Sequence, residues 1–169
     1  IQRRAQTLAA LDELARAIHG ELTGGQEQLR IIYQASVTAE AFPEALSQAR
    51  DRELAQGVTL VGPHRDDMRF LVDERDMASY GSRGQNRTVA LSLKLAEAQF
   101  MAARTAEPPI LLLDDVLSEL DARRRYHLLQ AALSHQQVVI TTSDMDRFDA
   151  AFLAQAAKFG VSGGRIVPL

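Results

Sequence analysis

The sequence lacks cysteine and tryptophan altogether, and only 5% of its residues are aromatic. Without cysteine there can be no disulfide bond, thiolate metal site or cysteine nucleophile, and the chain is compatible with a reducing compartment. An overall basic field is also missing, because the formal net charge is -3 and the pI is about 5.8. Any contact with nucleic acid must therefore come from a local patch.

Long apolar runs are missing too. The longest are far too short to span a bilayer, and no signal-like segment opens the chain, so we predict a cytoplasmic location without membrane contact. With 169 residues and 46% hydrophobic content, the chain can form one substantial core, or one core and an appendage. It begins at Ile1 rather than Met, and we expect it to be a piece of a longer polypeptide.

The most informative stretch that is present is an apolar run, residues 110–113 (ILLL), that leads into Asp114 and Asp115. The run predicts a buried strand of a parallel sheet that is covered on both faces. Ligands of such sheets bind at the carboxyl ends of the strands, and two carboxylates there suit a magnesium-phosphate site. One can hold the metal while the other orients or deprotonates a water. The alternative is that the pair only caps the next helix.

A second buried strand is predicted at residues 137–141 (QVVIT), after a helix from Ala122 to Leu133. Hydroxyls and a carboxylate follow it directly, at Thr142, Ser143 and Asp144. Two strands joined by one helix form a right-handed crossover, which brings the polar ends of both strands side by side.

The loop YGSRGQNRT, residues 80–88, leads into a long helix predicted from Gln85 to Arg104. At a helix start, a Gly-Ser-x-Gly turn leaves backbone N–H groups and a serine hydroxyl to bind an anion such as phosphate. The alternative is an ordinary capping box of Ser82 and Gln85. The glycine at Gly84 favours the first interpretation, since it lowers helix stability without adding packing.

In the rest of the chain, hydrophobic periodicity predicts the helices and strands, and glycines predict where helices end. We expect a domain boundary near Gly57. His64 has no second ligand at a recognisable spacing, so we expect a structural turn histidine. The expected helices are 2–22, 43–56 and 148–157; the expected strands are 29–37, a short one within 58–61, 68–73 and 76–80, and a hairpin is expected over 158–167.

The chain resembles the C-terminal half of an ABC-type ATPase in the order and spacing of five features: SRGQ, a helix, ILLLDD, SELD and a strand ending in TTSD. Within that SMC-like superfamily, the chain resembles the RecF family. The resemblance lies in three sequence segments: YGSRGQNRTVALSLKLAE, PPILLLDDVLSELD and GPHRDD. The resemblance implies an α/β fold, namely the C-terminal lobe of a P-loop ABC-type ATPase, with a parallel sheet core and flanking helices. Residues 58–169 would form this lobe, and residues 1–57 would be part of a helical arm.

The resemblance also implies a role for individual residues. Asp114 would serve the Walker B magnesium, and Asp115 would stand where most ABC ATPases have a catalytic glutamate. The signature loop, which contacts the γ-phosphate of ATP on the opposite subunit, would be Ser82, Arg83, Gly84 and Gln85. The D-loop would be Ser118, Glu119, Leu120 and Asp121, and the switch region would be Thr142, Ser143 and Asp144.

The family function implied is ATP-dependent DNA binding in recombinational repair, replication-fork maintenance and the SOS response, with weak ATPase activity. ATP and Mg²⁺ would be the cofactors; the partners would be gapped or junction DNA, a second copy in an ATP-dependent homodimer, and RecO/RecR-type mediators. None of the ten glycines begins a G-x-x-x-x-G-K-[ST] motif, so the P-loop has to come from elsewhere. The alternative function is a non-catalytic dimerisation or partner-docking module.

Overall fold

The computed structural model describes residues 1–105, 107–118 and 120–169, which form a mixed α/β structure. Two compact units make up the chain, Ile1–Pro109 and Ile110–Leu169. The assignment of residues 1–57 to a helical arm stays a prediction. Within the described residues, no helix combines the length and the apolar character needed to cross a membrane.

The first unit combines four helices with a three-stranded antiparallel sheet in the order β1-β2-β3. Helix α1 packs on α4 and on β1. The buried apolar side chains along this contact include Ile18 and Leu22 of α1 and Leu95 of α4. The elements are α1 (Gln2–Thr23), β1 (Leu29–Gln34), α2 (Phe42–Gln56), β2 (Asp67–Val72), β3 (Arg75–Asp76), α3 (Met77–Tyr80) and α4 (Arg83–Thr105).

Glycines end the first two helices, as the sequence predicted. Gly24 after α1 and Gly57 after α2 have φ angles of 62° and 66°. This left-handed conformation is accessible to glycine at little cost and terminates the helical hydrogen-bond pattern. The predictions for α1, α2, β1 and β2 are therefore confirmed, with ends that differ by a few residues.

Two strand predictions in this unit are wrong. Residues 58–61 form no strand, because the amides of Leu60 and Val61 donate to Glu53 Oε1, at 2.6 and 3.3 Å, instead of to a neighbouring strand. Residues 77–80 form a short helix, because the Asp76 side chain accepts a hydrogen bond from the Ala78 amide and caps it. In both places a local carboxylate overrides the β propensity of the apolar residues.

The second unit contains a parallel pair, a hairpin and two helices. Strands β4 and β5 are parallel, as predicted, and β6 and β7 form the predicted hairpin, with Gly163 and Gly164 at φ 56° and 76° in its turn. The helix expected over 148–157 begins later, after the Asp149 cap. The elements are β4 (Leu111–Asp114), α5 (Ala122–Leu133), β5 (Val138–Thr141), α6 (Ala150–Gln155), β6 (Phe159–Ser162) and β7 (Arg165–Pro168).

The expectation that β4 is covered on both faces is wrong within the described residues. Leu111 and Leu113 are buried, but Leu112 between them is 71% exposed. Successive side chains of a strand point to opposite faces, so only one face of the β4–β5 pair is covered by the part of the second unit that the structure describes.

Candidate functional site

The carboxyl ends of β4 and β5 meet, as the sequence predicted. Asp114 and Thr141 are paired in the parallel register, and the Thr141 hydroxyl donates a short hydrogen bond to Asp114 Oδ1. The interaction joins the predicted metal ligand to the last residue of the neighbouring strand. Since both residues are exposed, the carboxylate is anchored on one oxygen and still accessible to a ligand.

Asp115 turns the chain directly after β4. Its φ angle is 46°, in the left-handed region, which aspartate tolerates better than most residues. Its amide donates to Thr141, to the carbonyl at 3.3 Å and to Oγ1 at 3.1 Å, while its carbonyl accepts from Ser118 Oγ at 2.9 Å. These contacts fix the backbone of Asp115, and its exposed side chain lies next to that of Asp114 in sequence.

The predicted D-loop follows as a turn anchored by two buried leucines. Leu117 and Leu120 are 1% and 6% exposed, whereas Ser118 is exposed. Asp121 caps α5, since its side chain accepts from the Arg124 amide at 2.9 Å. Glu119, which completes the predicted D-loop, lies outside the described residues.

The predicted switch region is a compact turn after β5. The Thr142 hydroxyl accepts from the Asp144 amide at 3.1 Å and donates to the Asp144 carbonyl at 3.0 Å. The Asp144 side chain caps the 3₁₀ turn Met145–Arg147 by accepting from the Asp146 amide at 3.1 Å. Ser143, between them, is exposed.

Arg147 is a residue of this site that the sequence did not predict. Its Nε donates to Asp144 Oδ2 at 3.0 Å, and its Nη1 donates to the carbonyls of Leu117 and Ser118 at 3.3 and 3.2 Å. The guanidinium therefore connects the turn after β5 to the turn after β4. An arginine three residues after an aspartate suggests a local ion pair, but its carbonyl acceptors lie about thirty positions away in sequence.

These residues fit a magnesium ion that arrives with a phosphate, and they do not fit a self-contained metal site. Among the residues that the structure describes, no group of three or more histidine or carboxylate side chains could hold a metal. Mg²⁺ is commonly held by one or two carboxylates together with water and substrate phosphates. The exposed oxygens of Asp114 and Asp115 are donors of that kind.

The predicted phosphate-binding loop lies in the first unit, at the start of α4. Ser82 Oγ accepts from the Gln85 amide, and Gln85 Oε1 accepts from the Ser82 amide, both at 3.2 Å. The capping box is thus formed, and α4 begins at Arg83, two residues earlier than predicted. Gly84 lies in the first helical turn, where backbone N–H groups lack intrahelical acceptors.

Gly81, the residue before Ser82 in this loop, is required by packing. A Cβ at this position would come within 2.6 Å of the Met77 carbonyl oxygen and closer still to the Asn86 side chain. No side chain fits there without moving the end of α3 or the start of α4. The glycine therefore allows the two helices to follow each other closely.

The Gly62–Asp67 turn is held by polar contacts with neighbouring segments of the chain. His64 Nε2 donates to the Thr59 carbonyl at 3.1 Å, which agrees with the expected structural role. Asp66 accepts from the Tyr33 hydroxyl and from the amide and hydroxyl of Ser36. These hydrogen bonds, that of Tyr33 first, lower the pKa of Asp66 to about 2.

No family model matches the chain. Individual relatives do. The DNA replication and repair protein RecF of Herpetosiphon aurantiacus is 44% identical over 172 residues, which cover 99% of this chain and 45% of the relative. RecF of Bacillus subtilis is 42% identical over 177 residues, which cover 99% and 48%. The chain spans about half the length of the curated relatives it matches.

Solved structures give the same result. A structure of the recombination mediator protein RecF with ATPrS, in the RecFOR pathway, has a TM-score of 0.74 and 32% identity, covering 98% of this chain and 45% of that one. An Smc head bound to a domain of ScpA has a TM-score of 0.58 at 17% identity, covering 98% and 44%, and supports the fold alone. The predicted ABC-type ATPase fold class is confirmed. By sequence and by fold, the chain is similar to the C-terminal part of RecF proteins.

Proposed function

We propose that this chain contributes the Walker B, D-loop and signature elements of an ATP site in a RecF-type DNA repair protein. The observation that carries the proposal is the pairing of Asp114 with Thr141 at the ends of two parallel strands. It leaves two consecutive carboxylates exposed at the edge of the sheet where ligands bind in α/β proteins.

In this proposal the two carboxylates have different roles. Asp114 would hold Mg²⁺, which would neutralise charge on the phosphates of ATP. Asp115 accepts a proton from the attacking water. Its position suits this role, since three hydrogen bonds fix its backbone and its side chain is exposed. Thr141 orients Asp114, and Arg147 keeps the turns after β4 and β5 together.

The remaining parts of the site come from outside this chain. The sequence has no P-loop motif, and its relatives, which include RecF proteins solved with ATP and ATPrS, are about twice as long. We propose that the rest of such a protein cradles the phosphates. The Ser82–Gln85 loop then contacts the γ-phosphate bound by a second copy, so that ATP links two subunits.

The partners follow from the RecF relationship. We propose that the ATP-linked homodimer binds gapped DNA or single-strand/double-strand junctions, and that recombination mediators of the RecO and RecR type dock on it. The RecFOR pathway, in which the solved RecF structures are described, supports this context. Hydrolysis of ATP would release the dimer.

A second candidate function is a docking module without a nucleotide role. It is favoured by one observation, the complete capping box of Ser82 and Gln85, because a cap alone accounts for both residues. The two candidates differ in what a charge at Ser82 does.

Ser82→Asp separates them in the intact protein that contains this chain. Aspartate is as good an N-cap as serine, so the melting temperature should stay near that of the wild type. Its carboxylate would repel a γ-phosphate, so the ATP-dependent dimer should fail. Light scattering with and without ATP gives the mass, and a melting curve gives the stability.

Ser82→Ala is the matched control for the cap. It removes the cap and should cost about 0.5 to 2 kcal/mol of stability without adding charge. If Ser82→Asp dimerises with ATP as the wild type does, the nucleotide role of this loop is wrong and the docking module becomes the better reading.

A further inference from the structure

The side chain of Gln85 has a second partner that the helix cap does not need. Its Oε1 accepts from the Ser82 amide, and its Nε2 donates to Glu27 Oε1 at 3.3 Å. Glu27 lies between α1 and β1, 58 positions away in sequence, and its side chain is only 15% exposed. The loop at the start of α4 is therefore connected to the end of α1.

Glu27 is in turn held by a fully buried histidine. Its Oε2 lies 3.2 Å from Nε2 of His19, a residue of α1 that is 0% exposed. Because a carboxylate only accepts, Nε2 of His19 is the donor to Glu27, while Nδ1 lies 3.0 Å from Ser92 Oγ, which is also 2.7 Å from the Thr88 carbonyl oxygen. These contacts therefore connect Gln85 and Ser92, two residues of α4, through Glu27 and His19.

A capping box does not explain why residue 85 is an amide. Glutamate at the third helical position accepts from the cap amide as well as glutamine does. Only an amide can also donate to a carboxylate, and a glutamate at position 85 would face Glu27 with like charge. The contact with Glu27 therefore requires an amide at position 85.

We infer that Glu27, held by His19, is a positioning residue for the Ser82–Gln85 loop. The inference rests on the proposed role of that loop in contacting ATP. In this role Glu27 acts through Gln85: it fixes the side chain of Gln85, which in turn accepts from the Ser82 amide. Through the same contacts, the position of the loop is coupled to the end of α1, and by linkage the coupling acts in both directions.

The test exchanges donor and acceptor between the two residues. Gln85→Glu keeps the acceptor for the Ser82 amide, but it removes the donor to Glu27 and places two carboxylates together. We expect ATP-dependent dimerisation of the intact protein to weaken about tenfold or more, the size of losing one hydrogen bond to a charged group. Adding Glu27→Gln restores a donor opposite the new carboxylate, and dimerisation should become about threefold or more tighter than in Gln85→Glu alone, although the charge that remains at position 85 keeps it weaker than in the wild type.

Hydrogen exchange provides a readout that needs no nucleotide. The amides of Ser82 and Gln85 should exchange faster in Gln85→Glu and recover in the double variant. Glu97→Gln is the matched control, because it removes an exposed, ion-paired carboxylate from the same helix and should change neither readout. A melting curve for each variant shows that the protein is folded.

The outcomes separate this inference from the proposed function. If Glu27→Gln fails to rescue Gln85→Glu in both readouts while Ser82→Asp abolishes the dimer, the positioning role is overturned and the ATP contact stands. If Ser82→Asp dimerises normally, the proposed function fails, and the exchange rates alone decide whether Glu27 positions the loop. Unchanged exchange in Gln85→Glu overturns the inference in that case.

Discussion

Thr141 donates a hydrogen bond to the carboxylate of Asp114 from the opposite position of a parallel strand pair. The same Oγ1 accepts from the Asp115 amide at 3.1 Å. One hydroxyl therefore orients a carboxylate and also fixes the backbone that carries the next one. This double role makes Thr141 the most informative position for a conservative substitution.

Thr141→Val should lower the free energy of unfolding by about 1 kcal/mol, since it removes two hydrogen bonds at an exposed site and keeps the β-branched shape. In the intact protein, ATP hydrolysis should fall more than ATP binding, because Asp114 and Asp115 lose their alignment. Chemical denaturation and a steady-state ATPase assay measure the two effects. Thr141→Ser keeps the hydroxyl and serves as the control; equal loss in both variants would show that the methyl group, and not the hydroxyl, is what counts.

Asp115→Asn should leave ATP binding and ATP-dependent dimerisation intact while hydrolysis falls by roughly 10² to 10⁴, the range for a lost general base. The side chain keeps its shape and loses its charge. Asp114→Asn should differ by weakening the Mg²⁺ dependence of nucleotide binding. Turnover that survives Asp115→Asn would exclude this residue as the base.

Arg147→Lys tests the bridge between the two turns. Lysine keeps the charge, but it lacks the planar fork that reaches Asp144 and two carbonyls together. We expect a loss of about 1 kcal/mol in unfolding free energy and faster hydrogen exchange at Ser118 and Leu120. Arg165→Lys, at an exposed position of the hairpin, is the control; if both variants exchange alike, the bridge does not stabilise the D-loop.

The Tyr33 hydroxyl should make stability depend on pH through Asp66. The folded-state pKa of Asp66 is lowered from 3.8 to about 2, so its contribution is present above pH 3.8 and is lost as the pH falls towards 2. Tyr33→Phe removes the largest cause of this shift. The stability difference between wild type and variant should therefore shrink over that window, as measured by urea denaturation at several pH values.

Tyr126→Phe is the control for this pH dependence, because Tyr126 is a 54% exposed tyrosine on α5. Its difference from wild type should stay constant across the same window. A Tyr33→Phe difference that does not change between pH 4 and pH 2 would show that the hydrogen bond leaves the titration of Asp66 unaffected.

The sequence by itself determined where the helices end and where the polar ends of the parallel strands meet. Glycine at Gly24 and Gly57, and the apolar runs before Asp114 and Thr142, act within a few residues of the feature they specify. The resemblance to the RecF family likewise came from short sequence motifs. Such features depend on residues that are close in sequence and not on tertiary contacts.

Only the tertiary structure decided which side chains hold these elements in place. Glu27 meets Gln85, and Arg147 meets the carbonyl of Leu117, across separations that no periodicity encodes. The failed strand predictions have the same cause, because the Glu53 carboxylate takes the amides that a strand would use. An apolar run indicates that a segment is buried. Which of its faces is covered, and which donor each carboxylate binds, depends on how segments far apart in the chain pack together.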